Sequence, residues 1–318
     1  MTADLPLVSI VTPTLQRAEY LERTLRSVRA QTYPHVEHIV VDGGSTDGTL
    51  ELLERYAPTY DLRWISEPDR GMYDAINKGL RMAKGEILAY LNSDDLYFPW
   101  TAEVVVDALA AHPEADLVYG DAVRVDELHH WLVPVFMPPF ERGPMTAYAA
   151  LLQPCVLLRR HVFDTLGGFD DGLAFVADMD FWLRAADRFM FLRLPEFVAV
   201  EIRHDQMLSE RFRSAIEAEN ARMRRTYRQG VWRTEPARVV GRAWWHCWSG
   251  RSWWDFVRAA RGEGRGWSRT IQACRPNVDP GTAVLGLLPS KASRLRSTLR
   301  WRSDPLAVAS AATADVES

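Results

Sequence analysis

The residues of this 318-residue chain with the clearest chemical potential are carboxylates standing directly after short apolar runs. Ile87 to Leu91 leads into Asn92-Ser93-Asp94-Asp95, and Val36 to Val41 leads into Asp42-Gly43-Gly44-Ser45-Thr46-Asp47-Gly48. A hard divalent cation such as Mg2+ or Mn2+ takes oxygen ligands and is commonly held by one or two carboxylates together with substrate phosphates, which makes Asp94 and Asp95 candidates for that role. Aspartates at such places equally serve as helix N-caps or solvated turn residues. In the glycine-rich loop, the glycines permit close backbone approach and Asp42 is a candidate acceptor for a nucleobase or ribose. The plainer alternative is a strand-to-helix turn in which Ser45 or Asp47 caps the helix. Asp178 and Asp180 are a further acidic pair; two residues apart on a helix they point in different directions, so one is expected to be structural.

The elements that must position these groups follow from periodicity. Leu7 to Thr12 reads as a strand that Pro13 ends, and Leu21, Leu25 and Val28 recur at helical spacing within Arg17 to Gln31. Val36 to Val41 is a second strand, Thr49 to Tyr56 a helix, Leu62 to Ser66 a third strand, Met72 to Ala83 a helix stopped by Gly85, and Glu86 to Leu91 a fourth strand. This alternation predicts an α/β fold with a mostly parallel sheet flanked by helices. Ligands of such sheets bind beyond the carboxyl ends of the strands, so both acidic turns should face one crevice. Asp121, after Val118-Tyr119-Gly120 and the helical run Ala102 to Ala111, reads as a third strand-end acid. Helices are expected around Asp178 to Ala186 and from Ser209 to Tyr227.

An apolar content of 47% supports a sizeable core. The net charge of -4 hides an asymmetry: residues 211 to 302 carry 20 Lys+Arg against 6 Asp+Glu, a net of +14, leaving -18 for the rest. Cys155, Cys247 and Cys274 have neither metal-site spacing nor the even count of a disulfide framework, which fits a reduced, cytoplasmic setting. The first residues lack the pattern of a signal peptide, and no stretch reaches the roughly 18 apolar residues of a membrane span.

Four segments in order, Val8-Ser9-Ile10-Val11-Thr12-Pro13-Thr14, Val40 to Thr49 around Asp42-Gly43-Gly44-Ser45, Ser66-Glu67-Pro68-Asp69-Arg70-Gly71-Met72-Tyr73-Asp74-Ala75-Ile76-Asn77-Lys78-Gly79, and Leu91-Asn92-Ser93-Asp94-Asp95, closely resemble the family-2 glycosyltransferases. The resemblance continues through Tyr119-Gly120-Asp121, Gln153-Pro154, Gly167-Gly168-Phe169-Asp170 and Asp178-Met179-Asp180-Phe181-Trp182-Leu183-Arg184, covering roughly residues 5 to 210. It implies a GT-A fold, a nucleotide-diphosphate sugar donor, a divalent metal (Mn2+ or Mg2+), inversion at the anomeric carbon and a hydroxyl acceptor on a saccharide, a lipid-linked carrier or a natural product. Carried over by motif position, Thr12, Pro13, Thr14, Asp42 and Gly43 would line the nucleotide pocket, with Asp69 near the base or ribose and Asn77 on the following helix. Asn92, Ser93 and Asp94 would meet the diphosphate, and Asp94 and Asp95 the metal. Asp178 would be the general base, a role that needs a carboxylate within hydrogen-bond reach of the acceptor oxygen. His204 would join the metal shell or the leaving group, and Arg203 is a candidate phosphate contact. Two departures stand out. Relatives often carry two consecutive acids where this chain has Asp42-Gly43, so one base contact is expected to be absent or supplied by Asp69. The metal motif begins with neutral Asn92, whose carbonyl can still coordinate.

The expected organisation is a catalytic domain over 1–210, with a nucleotide-sugar half to about 120 and an acceptor half beyond it. A basic, Trp-rich helical extension follows over 211–302, then a disordered tail over 303–318. Eight of the twelve tryptophans follow Val231, and with the arginines they fit either ordinary packing or peripheral contact with the inner face of a membrane. Nucleic acid is not an expected partner, because no recognised module accompanies them. An inactive sugar-nucleotide-binding or membrane-associated scaffold is the non-enzymatic alternative. Nucleotidyl transfer is disfavoured, since no Gly-rich, Arg- and Lys-containing loop follows the first strand.

Overall fold

The structure is a computed structural model that describes residues 5–126, 132–141 and 151–227. Its first half runs β1 (Val8–Thr14), α1 (Ala18–Arg29), β2 (Val36–Asp42), α2 (Thr49–Tyr56), β3 (Leu62–Ser66), α3 (Met72–Met82) and β4 (Ile87–Tyr90). The second half runs β5 (Asp95–Tyr97), α4 (Thr101–Ala111), β6 (Leu117–Asp126), β7 (Leu132–Val135), β8 (Val156–Arg159), α5 (Arg160–Leu166), α6 (Ala177–Ala185), β9 (Phe191–Arg203), α7 (Leu208–Arg211) and α8 (Arg213–Tyr227).

The central strands are continuous apolar runs because both of their faces are covered. Within β4, Leu88 and Tyr90 join one core cluster while Ile87 and Ala89 join another, and Val156 and Leu158 of β8 divide from Leu157 in the same way. This is the two-residue period of a strand buried on both sides. Helices α3 and α6 contribute Ile76, Leu80, Phe181 and Trp182 to the first cluster, and α4 contributes Val105 and Leu109 to the second. Leu21 and Leu25 of α1 meet Leu52 and Leu53 of α2 in a third.

The strand order is β3-β2-β1-β4-β8-β6-β9-β5, with β7 on β6. The four strands β3, β2, β1 and β4 are mutually parallel, so the ends of β1, β2 and β4 open on one side of the sheet. Beyond them β8 runs antiparallel between β4 and β6, β9 returns parallel to β6, and β5 lies antiparallel on β9 with Asp95 opposite Glu201.

Three local expectations change. Pro13 lies inside β1 rather than ending it: pairing with β4 stops at Val11 and Tyr90, so the missing N–H at Pro13 falls where β1 has no neighbour on that side. Asp121 is not at a strand end, because β6 continues to Asp126 past an irregularity next to Gly120. It is fully buried, with its carboxylate held by Arg193 at 3.0 Å and by the Met137 N–H at 2.7 Å. Gly85 does not itself stop α3, which gives way to extended backbone at Ala83; a Cβ on Gly85 would come within 2.5 Å of the Leu7 carbonyl oxygen, so the glycine permits close approach to β1. Among the described residues, no helix is long and apolar enough to cross a membrane. The arginine- and tryptophan-rich stretch and the tail, from residue 228 onward, lie outside the described residues.

Candidate active site

The loop after β2 is built around Asp42. Its Oδ2 accepts the Gly44 N–H (3.0 Å), the Ser45 N–H (2.8 Å) and the Ser66 hydroxyl (2.6 Å), and its Oδ1 accepts the Ser45 hydroxyl at 2.5 Å. Fully buried and bonded to four donors, Asp42 holds the loop in shape, and the expected nucleobase contact is not available to its side chain as it stands. Asp47 carries the capping function: it accepts the Thr49 N–H at the start of α2 and the Ala18 N–H at the start of α1. The loop is therefore a brace between two helices.

Gly43 and Asp69 meet. A Cβ at position 43 would stand 2.6 Å from Asp69 Oδ2 and 3.3 Å from Leu15 Cδ1. Asp69 itself is anchored through Oδ1 to the Gly71 N–H at 2.9 Å. Its free carboxylate oxygen thus occupies the space that a side chain at position 43 would enter. Thr14, at the end of β1, is buried with an unpaired hydroxyl, whereas the Thr12 hydroxyl is bonded to His38 Nε2 at 2.9 Å. The Thr12 side chain, expected in the nucleotide pocket, belongs instead to an interior network in which His38 also meets the Tyr60 hydroxyl, and burial pushes His38 down to about 3. Pro13 is likewise buried in the strand.

Asn77 is a second correction. Its amide donates to the Phe169 carbonyl oxygen at 2.8 Å and its carbonyl accepts the Phe169 N–H at 2.9 Å, so both polar ends are spent. Gly168, with φ +93°, leaves the room: a Cβ there would sit 2.7 Å from Asn77 Oδ1. The latch seats Phe169 against Tyr73, Tyr90, Phe181 and Trp182 and so fixes the approach to α6.

After β4 the four-residue turn divides its acids. Asp94 Oδ2 lies 3.1 Å from His204 Nε2, joining two segments 110 residues apart. His204 has no exposed side-chain surface, stacks on Tyr20 with ring centroids 4.3 Å apart, and leaves Nδ1 unpartnered. Asp95 turns inward on β5 instead; burial, with the charges of Asp94 and Glu201 adding to it, pushes its carboxyl well above the usual range. Among the described residues no three His, Cys, Asp or Glu side chains form a group able to hold a metal ion. Of the expected Asp94, Asp95 and His204, the structure brings Asp94 and His204 into direct contact, while Asp95 keeps a buried Oδ1 without a hydrogen-bond partner. Asn92 reaches Gln153 Oε1 at 3.3 Å and Asp95 Oδ2 at 3.4 Å while its own Oδ1 is buried and unpartnered, and Ser93 is buried beside it. Arg203 is not free for a phosphate, because its guanidinium is ion-paired with Glu201 and Glu210.

Asp178 is the second residue of α6 and is part-buried. Its Oδ1 accepts the Met179 N–H at 2.8 Å and the Tyr73 hydroxyl at 3.3 Å; neither bond uses Oδ2. Burial pushes the carboxyl up to about 6, against the pull of those two donors. The Tyr73 hydroxyl also lies 3.2 Å from the Phe175 carbonyl oxygen, and Tyr73 packs in the same core cluster as Tyr90, which feels the charges of both Asp178 and Asp95, so the base candidate stands beside the end of β4. Asp180 takes the structural part, accepting Arg184 Nε at 2.7 Å and the Tyr227 hydroxyl at 2.5 Å. The sequence holds no sign of a site role for Tyr20, and Gln153 enters only as part of the Gln153-Pro154 motif. Tyr73 lies within the Ser66 to Gly79 motif, but nothing local indicates a contact with a residue 105 positions away.

The model of glycosyl transferase family 2 matches residues 9–166. A PGL/p-HBAD biosynthesis glycosyltransferase of Mycobacterium tuberculosis is 34% identical over 182 residues, 56% of this chain and 69% of its own length, and the corresponding protein of Mycobacterium bovis matches equally. Among solved structures, Staphylococcus aureus TarS in complex with UDP-GlcNAc superposes with a TM-score of 0.55 at 16% identity, over 85% of each chain. The mannosyltransferase PcManGT of Pyrobaculum calidifontis, in complex with GDP-Man and Mn2+, gives a TM-score of 0.55 at 20% identity over 99% of this chain and 89% of its own. Both structural likenesses concern the GT-A fold alone. Together with the strand-end acids and the Asp178 helix, the sequence matches establish that the chain belongs to glycosyl transferase family 2 and is a glycosyltransferase.

Proposed function

We propose that this glycosyltransferase moves a sugar from a nucleotide-diphosphate donor to a hydroxyl acceptor in a single inverting displacement, with Asp178 as general base. The observation that carries the reading is Asp178 itself: an aspartate whose pKa lies near 6, with Oδ2 outside its two bonds, beside the end of β4 whose following turn carries Asp94. A base is most effective with a pKa close to the working pH, and a carboxyl near 6 is largely ionised at pH 7 yet more basic than an ordinary aspartate. As the acceptor oxygen forms its bond to the anomeric carbon, its proton passes to Asp178 Oδ2. The bond from that carbon to the diphosphate oxygen breaks on the opposite face, and the electron pair leaves with the diphosphate.

The residues present fit a divalent cation. Asp94 and His204 offer one oxygen and one nitrogen 3.1 Å apart, and His204 is held by the Tyr20 stack. Two protein groups completed by diphosphate oxygens and water match the habit of Mg2+ and Mn2+ in phosphate sites. Such an ion, when bound, neutralises charge developing on the departing diphosphate. Thr14, Gly43 and Asp69 are the chain's groups for the nucleoside end, with Asp69 supplying the carboxylate that Gly43 lacks. Uridine and guanosine diphosphate sugars, the ligands of the two structural neighbours, are the first donors to test.

The test is calorimetric titration with UDP, GDP and their sugars, with Mn2+ and with chelator. Metal-dependent binding of one nucleotide, lost in Asp94→Ala, is the expected result. Binding that is indifferent to both metal and Asp94 would remove this assignment.

A further inference from the structure

Helix α8 lies past the segment matched by the family model, yet it grips the element that bears Asp178. Three successive backbone N–H groups converge on one carboxylate of this helix: Ala174 donates to Glu219 Oε1 at 3.0 Å, and Phe175 and Val176 donate to Oε2 at 2.8 and 3.1 Å. Val176 is the N-cap of α6, and its apolar side chain makes no cap bond. Ser, Thr, Asp or Asn normally fills that position to satisfy the free N–H groups of the first turn. Here a carboxylate from a distant helix ties down the N–H groups that lead into the turn, and a negative charge at that end also suits the helix dipole.

The same face of α8 holds the other side of the turn. Glu219, Met223 and Tyr227 are spaced four apart and form one stripe. Met223 is buried in the core cluster that contains α6, and the Tyr227 hydroxyl bonds Asp180 at 2.5 Å. Asp178 lies between the Glu219 clamp at Val176 and the Tyr227 bond at Asp180. From these contacts we infer that Glu219 is a positioning residue for the base, and that α8 is a working part of the active site. The inference rests on the reading of Asp178 given above. The charge of Glu219 also opposes ionisation of Asp178, so removing it should be visible in the titration of the base.

The experiment uses the full chain with Glu219→Gln, Glu219→Ala, Glu219→Asp and Asp178→Asn. It follows release of UDP or GDP from UDP-GlcNAc or GDP-mannose across pH, calorimetric affinity for the free nucleotide, and amide exchange of residues 174–176. In Glu219→Gln, misplacing the base should lower turnover on the order of tenfold or more. Nucleotide affinity should stay within about twofold, since Glu219 bonds the 174–176 backbone and none of the groups assigned above to the nucleotide. The acid limb should move below that of the parent protein, and the three amides should exchange faster. Glu219→Asp, which keeps the charge, should restore the limb. If Glu219→Ala fails to fold, the near-isosteric Glu219→Gln carries the same test. Parent-like turnover, acid limb and exchange in Glu219→Gln, with Asp178→Asn inactive, would overturn the positioning role while leaving the base intact. Surviving turnover in Asp178→Asn would instead overturn the base on which the inference rests.

Discussion

Replacing Asp178 by Asn should abolish sugar transfer and stabilise the protein at the same time. The carboxyl rises from an ordinary 3.8 to about 6, chiefly through burial, which corresponds to about 3 kcal/mol in favour of its neutral form. The folded state binds a proton here that the unfolded chain releases between those two values. Stability of the parent protein therefore falls as pH rises from about 4 to about 6, and the full cost is present above that window. Asn is neutral at every pH, and its carbonyl can still accept from Met179 and Tyr73. The variant should melt about 6 °C above the parent at pH 7, with the difference shrinking toward zero near pH 4. Differential scanning calorimetry of both proteins at pH 4, 5, 6 and 7, paired with nucleotide release from a sugar nucleotide, measures both effects. In the parent, activity should fall as pH drops through about 6, where the base becomes protonated. Equal melting temperatures at pH 7, or a gain that persists undiminished at pH 4, would refute the placement of a charged carboxylate in a desolvating site.

Three other outcomes follow from the geometry. Asp94→Ala should remove at least about a tenfold metal-dependent increment in nucleotide affinity, whereas Asp95→Asn should leave that increment within about twofold because Asp95 faces the interior; calorimetry with Mn2+ and with chelator separates the two. Asn77→Ala should cost roughly 3 kcal/mol by unpairing the buried Phe169 amide and carbonyl, with nucleotide affinity unchanged while the protein is folded; a lowered melting temperature with altered binding would count against a purely structural role. Gly43→Ala should push Asp69 aside, since its Cβ would lie 2.6 Å from Oδ2, and weaken nucleotide binding by about tenfold with little effect on melting.

Much of this protein was legible without coordinates. The apolar runs, their alternation with helical periodicity and the acids that follow them are local properties, and β1 to β4 with α1 to α4 fall within a few residues of where the pattern put them. The pair at 178 and 180 also divided as helix geometry requires, with Asp180 tied to Arg184 and Tyr227. Motif position was a weaker guide to individual side chains. Thr12, Asn77 and Arg203 belong to recognisable or suggestive segments, yet each is spent on a partner within the fold, namely His38, the Phe169 backbone, and Glu201 with Glu210, while Asp95 turns its carboxyl into the β5–β9 interior. Whether a polar side chain faces a cleft or the interior depends on strand register and on partners far away in the chain, which residue type does not encode. Tertiary structure alone brought His204 to Asp94 and Glu219 to the start of α6. Local sequence determined which groups could do chemistry and roughly where the strands end. Packing between distant segments decided which of those groups remain free to do it, because a hydrogen-bonding side chain already satisfied inside the fold has nothing left to offer a substrate.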